Sequence, residues 1–215
     1  MHVGANGQVD LLEKDVNMAI ARRLAALLRA GGYRALLTRD GDTGANVPAQ
    51  DRTGDGKIDV QDDLQARLDR ANEAGAQLLL SMHNNGYPSA AESGSETYYC
   101  PDRPYGERNA VLARLLQDAF ISRLAAAGYR PRDRGAKADT NFRVIDGVAY
   151  HASLLGPAQP PRIVRPSQMP AVIGESLFTT NPTEGSLLAR EDIQQAIAQA
   201  YFDAVQAYFA RYPAP

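Results

Sequence analysis

A single cysteine, Cys100, stands in 215 residues, so no internal disulfide can form. It ends the strand-like run Glu96-Thr97-Tyr98-Tyr99-Cys100. With no histidine near it in sequence, it reads as a buried, unreactive thiol. No apolar run approaches the roughly 20 residues that span a bilayer. No basic segment followed by an apolar one marks a secretory signal. That fits either a cytoplasmic protein or a secreted one whose leader lies outside this chain. Excess positive charge is also missing: the formal net charge is −2, which offers no global basic field for nucleic acid.

What is present is an ordinary globular composition, 44% hydrophobic and 22% charged, over a length that suits one domain with a sizeable core. The 3.6-residue stripe Val16, Ala19, Ile20, Leu24, Leu27, Leu28 predicts a helix over Asp15–Ala30, capped by Asp15 and ended by Gly31-Gly32. A short strand is expected over Arg34–Thr38, a second helix over Asp63–Ala74 and a buried strand over Gln77–Met82. Ser95–Cys100 reads as a strand and Glu107–Ala127 as a helix. Residues 129–170 read as irregular, Ala171–Gly174 as a buried strand, and Glu191–Tyr212 as a helix. Strands alternating with helices predict an α/β domain, a three-layer α/β/α arrangement with a mixed, mostly parallel twisted sheet. In such sheets ligands gather at the carboxyl ends of strands.

Three distant segments carry chemistry: Glu13 before a helix, His83 after a buried strand, and Glu175 at the end of Pro170-Ala171-Val172-Ile173-Gly174. Taken singly, Glu13 could serve the helix dipole and His83 could be structural. Glu175 is hardest to explain as structure, because an unpartnered carboxylate is costly to bury. Two carboxylates and an imidazole suit a hydrolytic zinc site, in which zinc takes His nitrogen and Glu oxygen and a further carboxylate acts as base.

A second pattern runs over Asp51–Asp62 within an inserted polar loop, residues 43–63. Oxygen donors fall at positions 1, 3, 5, 9 and 12 of an EF-hand-type loop (Asp51, Thr53, Asp55, Asp59, Asp62). Lys57 offers its carbonyl at position 7, Gly56 occupies position 6 and Ile58 position 8. Calcium is the cation expected there; a solvated acidic turn capping the helix is the alternative.

In order and context, these segments resemble the zinc-dependent N-acetylmuramoyl-L-alanine amidases. The resemblance is carried by Glu13-Lys14-Asp15-Val16-Asn17, Leu37-Thr38-Arg39-Asp40, Leu64-Gln65-Ala66-Arg67 with Ala71-Asn72, Ser81-Met82-His83-Asn84-Asn85, Gly94-Ser95-Glu96-Thr97-Tyr98-Tyr99, Arg134-Gly135-Ala136-Lys137, and Pro170–Phe178 with Asn181-Pro182. It implies zinc held by Glu13 and His83, Glu175 as general base, and Asn85 and Arg134 near the substrate. It also implies cleavage of the amide between N-acetylmuramic acid and L-alanine in peptidoglycan, outside the cytoplasm, by a monomer with no nucleic-acid or membrane partner. The family's first zinc histidine ends a first strand that has no counterpart here. His2 is the nearby candidate, and the resemblance therefore implies one amidase-like domain over 1–215 that lacks its first strand. If that ligand is absent, a non-catalytic peptidoglycan-binding domain becomes the alternative, with a related zinc peptidase or deacylase the third reading. His151 reads as a surface histidine.

Overall fold

The computed structural model describes residues 1–3 and 9–213; for residues 2, 3, 9 and 10 it describes the backbone alone. The described elements are β1 (His2–Val3), β2 (Val9–Leu11), α1 (Glu13–Ala30), α2 (Val60–Glu73), β3 (Leu79–Asn85), β4 (Ser95–Tyr99), α3 (Gly106–Ala126), β5 (Asp133–Ala138), β6 (Arg143–Ile145), β7 (Val148–Tyr150), β8 (Ala171–Phe178), α4 (Pro182–Leu188) and α5 (Glu191–Arg211). The central sheet runs β3-β8-β4-β5. β3 pairs parallel with β8 and β4 parallel with β5, while β4 meets β8 antiparallel. The domain is thus α/β with a mixed, mostly parallel sheet, as expected.

Alternation along β8 divides the interior in two. Val172 faces a core built by Ile20 and Leu24 of α1, Leu116 and Phe120 of α3, and Ile197 and Tyr201 of α5. Ala171 and Ile173 face the other way, onto Leu68 and Ala71 of α2 and onto Ala152, Leu155 and Ile163. Each fully buried Leu, Ile or Phe contributes about 1.5–3 kcal/mol of transfer free energy. Phe120 and Tyr201 meet edge to face, with ring centroids 5.2 Å apart. Tyr201 also donates from its hydroxyl to the Gly174 carbonyl at 3.2 Å. A Cβ on Gly174 would collide with that hydroxyl oxygen, so any other residue here must push the Tyr201 ring aside. The contact fixes β8 one residue before Glu175.

Several boundaries differ from the sequence expectation. α1 begins at Glu13 rather than after Asp15; Leu12 is its N-cap and provides no side-chain cap, while Asp15 lies in the first turn. Residues 34–38 are not paired as a strand. α2 starts earlier, at Val60, because Asp59 and Asp62 form a capping box: the Asp59 carboxylate accepts from Gln61 N, and Asp59 N donates to Asp62 at 2.8 Å. Residues 129–170 contain β5 and the hairpin β6–β7, turned through Asp146 and Gly147, both at positive φ. That segment is also pinned. Buried Gln65 of α2 accepts from Val164 N and Arg165 N and donates to the Arg165 carbonyl, and the Arg165 guanidinium pairs with Asp69 at 2.7–2.8 Å.

Beside the outer edge of β3 lies a cavity of about 1020 Å³. Its walls are α1 (Leu24, Leu28), the unpaired segment 33–39, and β3 itself with the residues leading into it. Among the described residues β3 pairs on one side only. The cavity reaches Glu13 and His83 at one end.

Candidate functional site

Sheet register builds the site. His83 of β3 is the partner of Glu175 in β8, and Glu175 is in turn the partner of Glu96 in β4. Register partners share a sheet face, so one imidazole and two carboxylates stand in a row across three strands. Glu13, in the first turn of α1, completes the group: its Oε1 lies 3.1 Å from His83 Nδ1. The same oxygen accepts from Asn17 Nδ2 at 3.1 Å and from Asn84 N at 3.3 Å. Asn84 and Asn17 are joined at 2.7 Å, and the Ser176 hydroxyl donates to Asn84. The carboxylate is therefore oriented by a polar frame drawn from α1, β3 and β8.

The charges sort accordingly. Burial works to raise the Glu13 pKa, but the hydrogen bonds and charge of His83, Asn17 and Asn84 prevail and hold it below the ordinary value. Burial works to lower His83, yet its hydrogen bond to Glu13 and the charges of Glu175 and Glu13 raise it. Glu175 goes the other way. Burial, reinforced by the negative charges of Glu13 and Glu96 against the opposing pull of His83, pushes it up to about 8. Its Oε2 is buried with no hydrogen-bond partner among the described residues. A buried, unpartnered carboxyl with a raised pKa beside a His–Glu pair is suited to taking up and returning a proton.

Glu96 is a part of the site that the sequence reading left unassigned. Asn85 Nδ2 and Tyr98 Oη donate to its Oε1 at 2.6 and 2.9 Å, while Arg134 Nε at 2.8 Å and Lys137 Nζ reach its Oε2. Its side chain is 4% exposed. Asn85 and Arg134, expected near substrate, are thus both engaged with Glu96; Arg134 also pairs with Glu92 at 2.7 Å and lies over the Phe178 ring. Glu184, fully buried, accepts from Phe178 N, Gly94 N and Tyr129 Oη at 2.7–2.8 Å and so fastens the end of β8.

His2 lies in β1, opposite Leu11, and its side chain is outside the described residues. In the inserted loop, Asp51 accepts from the backbone N–H groups of Gly54, Asp55 and Gly56, and Asp62 from those of Arg52, Thr53 and Asp59. Asp55 accepts from Lys57 N and Asp59 from Gln61 N. Among the described residues, these carboxylates are not drawn together within 4.8 Å as a group of three; Cys100, Asp139 and His151 are. His151 is consequently not the expected surface residue. Its side chain is 16% exposed and its Nδ1 lies 2.8 Å from the fully buried Asp139. Cys100, for which the sequence shows no neighbouring histidine, lies 3.4 Å from that same nitrogen.

Residues 2–207 match the sequence family described as N-acetylmuramoyl-L-alanine amidase. The chain is 32% identical over 200 residues to the N-acetylmuramoyl-L-alanine amidase LytC of Bacillus subtilis, covering 93% of this chain and 32% of LytC. It is 26% identical to the germination-specific N-acetylmuramoyl-L-alanine amidase of the same organism, covering 93% of this chain and 71% of that protein. In fold it is similar to the N-acetylmuramoyl-L-alanine amidase of Clostridium difficile 630, with a TM-score of 0.68 at 24% identity, covering 98% of this chain and 89% of that one. The chain spans about a third of the length of LytC.

Proposed function

This chain belongs to the N-acetylmuramoyl-L-alanine amidase family, a family of enzymes, and from that premise we propose that it hydrolyses the amide between N-acetylmuramic acid and L-alanine in peptidoglycan, with Glu13 and His83 as zinc ligands and Glu175 as general base. The observation that carries this reading is the 3.1 Å approach of Glu13 Oε1 to His83 Nδ1, with Glu175 in register beside the histidine. The donor set fits zinc: one imidazole nitrogen, one carboxylate oxygen, and separations close to those of neighbouring ligands on one ion. Asn17 and Asn84 would keep the Glu13 carboxylate aimed. When bound, zinc supplies Lewis acidity, polarising the scissile carbonyl and making water nucleophilic near neutral pH.

The chain's own residues do the rest. Glu175 Oε2, buried and without a partner among the described residues, takes a proton from the attacking water and returns it to the departing amine of L-alanine. Its raised pKa suits both halves of that transfer. Glu96, tied by four donors, holds a fixed negative charge beside Glu175.

We propose His2 as the third zinc ligand within this chain; β1, which carries it, pairs with β2, and β2 leads directly to Glu13. On this reading the 215 residues form one catalytic domain. The loop over 51–62 is proposed to take calcium on the strength of its donor spacing; the Asp59–Asp62 capping box would let the ion fix the start of α2. A secreted, cell-envelope location follows from the proposed substrate. Among the described residues no helix is long and apolar enough to cross a membrane.

Mass spectrometry of muropeptides treated with the zinc-loaded protein tests the reaction. Free stem peptides beginning with L-alanine are the expected product. Cleavage within the stem peptide would identify a peptidase instead, and intact muropeptides that stay bound would identify a binding domain.

A further inference from the structure

Cys100 follows β4 and Asp139 follows β5; since these strands are parallel neighbours, their carboxyl ends bring the two residues side by side. The backbone locks them there, with Asp139 N donating to the Tyr99 carbonyl at 2.9 Å. His151 arrives from the end of β7 and is held by Ala152 N, which donates to Asp139 Oδ2 at 3.1 Å. Sulfur, nitrogen and carboxylate oxygen then lie within 4.8 Å of one another, with Cys100 Sγ 3.4 Å and Asp139 Oδ1 2.8 Å from His151 Nδ1. The other ring nitrogen, Nε2, lies 3.4 Å from Asp102 Oδ2.

We propose that Cys100, Asp139 and His151 form a second cation site, of zinc type, that shares no residue with Glu13, His83 and Glu175. Four considerations carry it. The ligand types, one thiolate, one imidazole and one carboxylate, are those that zinc accepts together. The separations are close to those on a tetrahedral ion, roughly 3.5 Å between sulfur and nitrogen and roughly 3.3 Å between nitrogen and oxygen, so a shift of a few tenths of an ångström admits it. A carboxylate on the far ring nitrogen is the usual partner of a metal-bound histidine, and Asp102 supplies it. Finally, the arrangement does not suit a nucleophile: Cys100 is fully buried, and the nitrogen that would serve as its base is taken at 2.8 Å by Asp139.

Burial first, and then the Asp139 charge, push the Cys100 thiol up to about 12. Cation entry therefore displaces the thiol proton to solvent and leaves the histidine as its Nε2–H tautomer, facing Asp102. The ion would tie the ends of β4 and β5 to the β6–β7 hairpin.

Cobalt(II) tests this, because a sulfur-to-cobalt charge-transfer band in the near ultraviolet requires a thiolate and the chain has one cysteine. The full chain, stripped of metal and titrated with cobalt, should develop the band at about one ion per chain. Cys100→Ser should abolish it, and His151→Ala and Asp139→Asn should each weaken cobalt binding at least tenfold. His83→Ala should leave the band intact, since no sulfur belongs to the Glu13–His83 group. Circular dichroism on each variant verifies that it is folded. No band in the folded wild-type chain would overturn the proposal, as would a band that His151→Ala and Asp139→Asn leave unchanged.

Discussion

Glu96 and Glu175 are direct register partners across the antiparallel β4–β8 pair, yet their carboxyls are displaced in opposite directions from the ordinary value. Burial acts to raise both. Around Glu96 it is outweighed by Lys137, Arg134 and Tyr98, which hold the carboxyl low. Among the described residues Glu175 has no such partners, and burial pushes it up to about 8. One of two adjacent carboxylates is thereby fixed in charge while the other remains able to exchange its proton.

The two shifts give stability profiles of opposite sign in the metal-free chain. Glu96, lowered, contributes stability that is present above its ordinary value of 4.5 and is lost as pH falls through its folded value. Glu175, raised, contributes stability that is present below 4.5 and is lost as pH rises through about 8. In urea titrations, Glu175→Gln should therefore gain on the wild type between pH 5 and 8. The scale is on the order of 1.4 kcal/mol per pKa unit. Glu96→Gln should flatten the acid limb below pH 4.5. Parallel curves for Glu175→Gln and wild type would contradict the assignment.

Gly174→Ala should destabilise the domain by about 1–3 kcal/mol, since the new methyl meets the Tyr201 hydroxyl. Tyr201→Phe removes that oxygen, so the double variant should lose less than the sum of the single losses. Additive losses in a double-mutant cycle would place the cost elsewhere.

Asp55→Ala should lower the melting temperature more in calcium than in a chelator, because a bound ion would add to the one hydrogen bond, from Lys57 N, that Asp55 accepts in the loop. Equal melting temperatures of the unmutated protein with calcium and with a chelator would remove calcium from the account.

Periodicity made the helices and the two buried strands legible, and resemblance singled out Glu13, His83 and Glu175. What stayed hidden depends on pairing. Glu96, in a Thr- and Tyr-rich run, has no local mark; only the His83–Glu175–Glu96 register shows its neighbours. Cys100 and His151 are 51 positions apart and meet because β4 and β5 end together. The β6–β7 turn did carry a readable signal, Asp146-Gly147 between Ile145 and Val148, in a stretch dominated by Pro and Arg. The Asp15 side chain suits a helix cap, but the chain turns helical two residues earlier, where Glu13 is held by His83 and Asn84.

The most direct measurement is release of L-alanine N-termini from purified peptidoglycan by zinc-loaded protein, comparing wild type with Glu175→Gln and determining zinc in both. The account predicts release by the wild type, loss of about a hundredfold or more in Glu175→Gln as for removal of a general base, and equal zinc in the two proteins. Release by Glu175→Gln at the wild-type rate, or none by a wild type that holds its zinc, would contradict it.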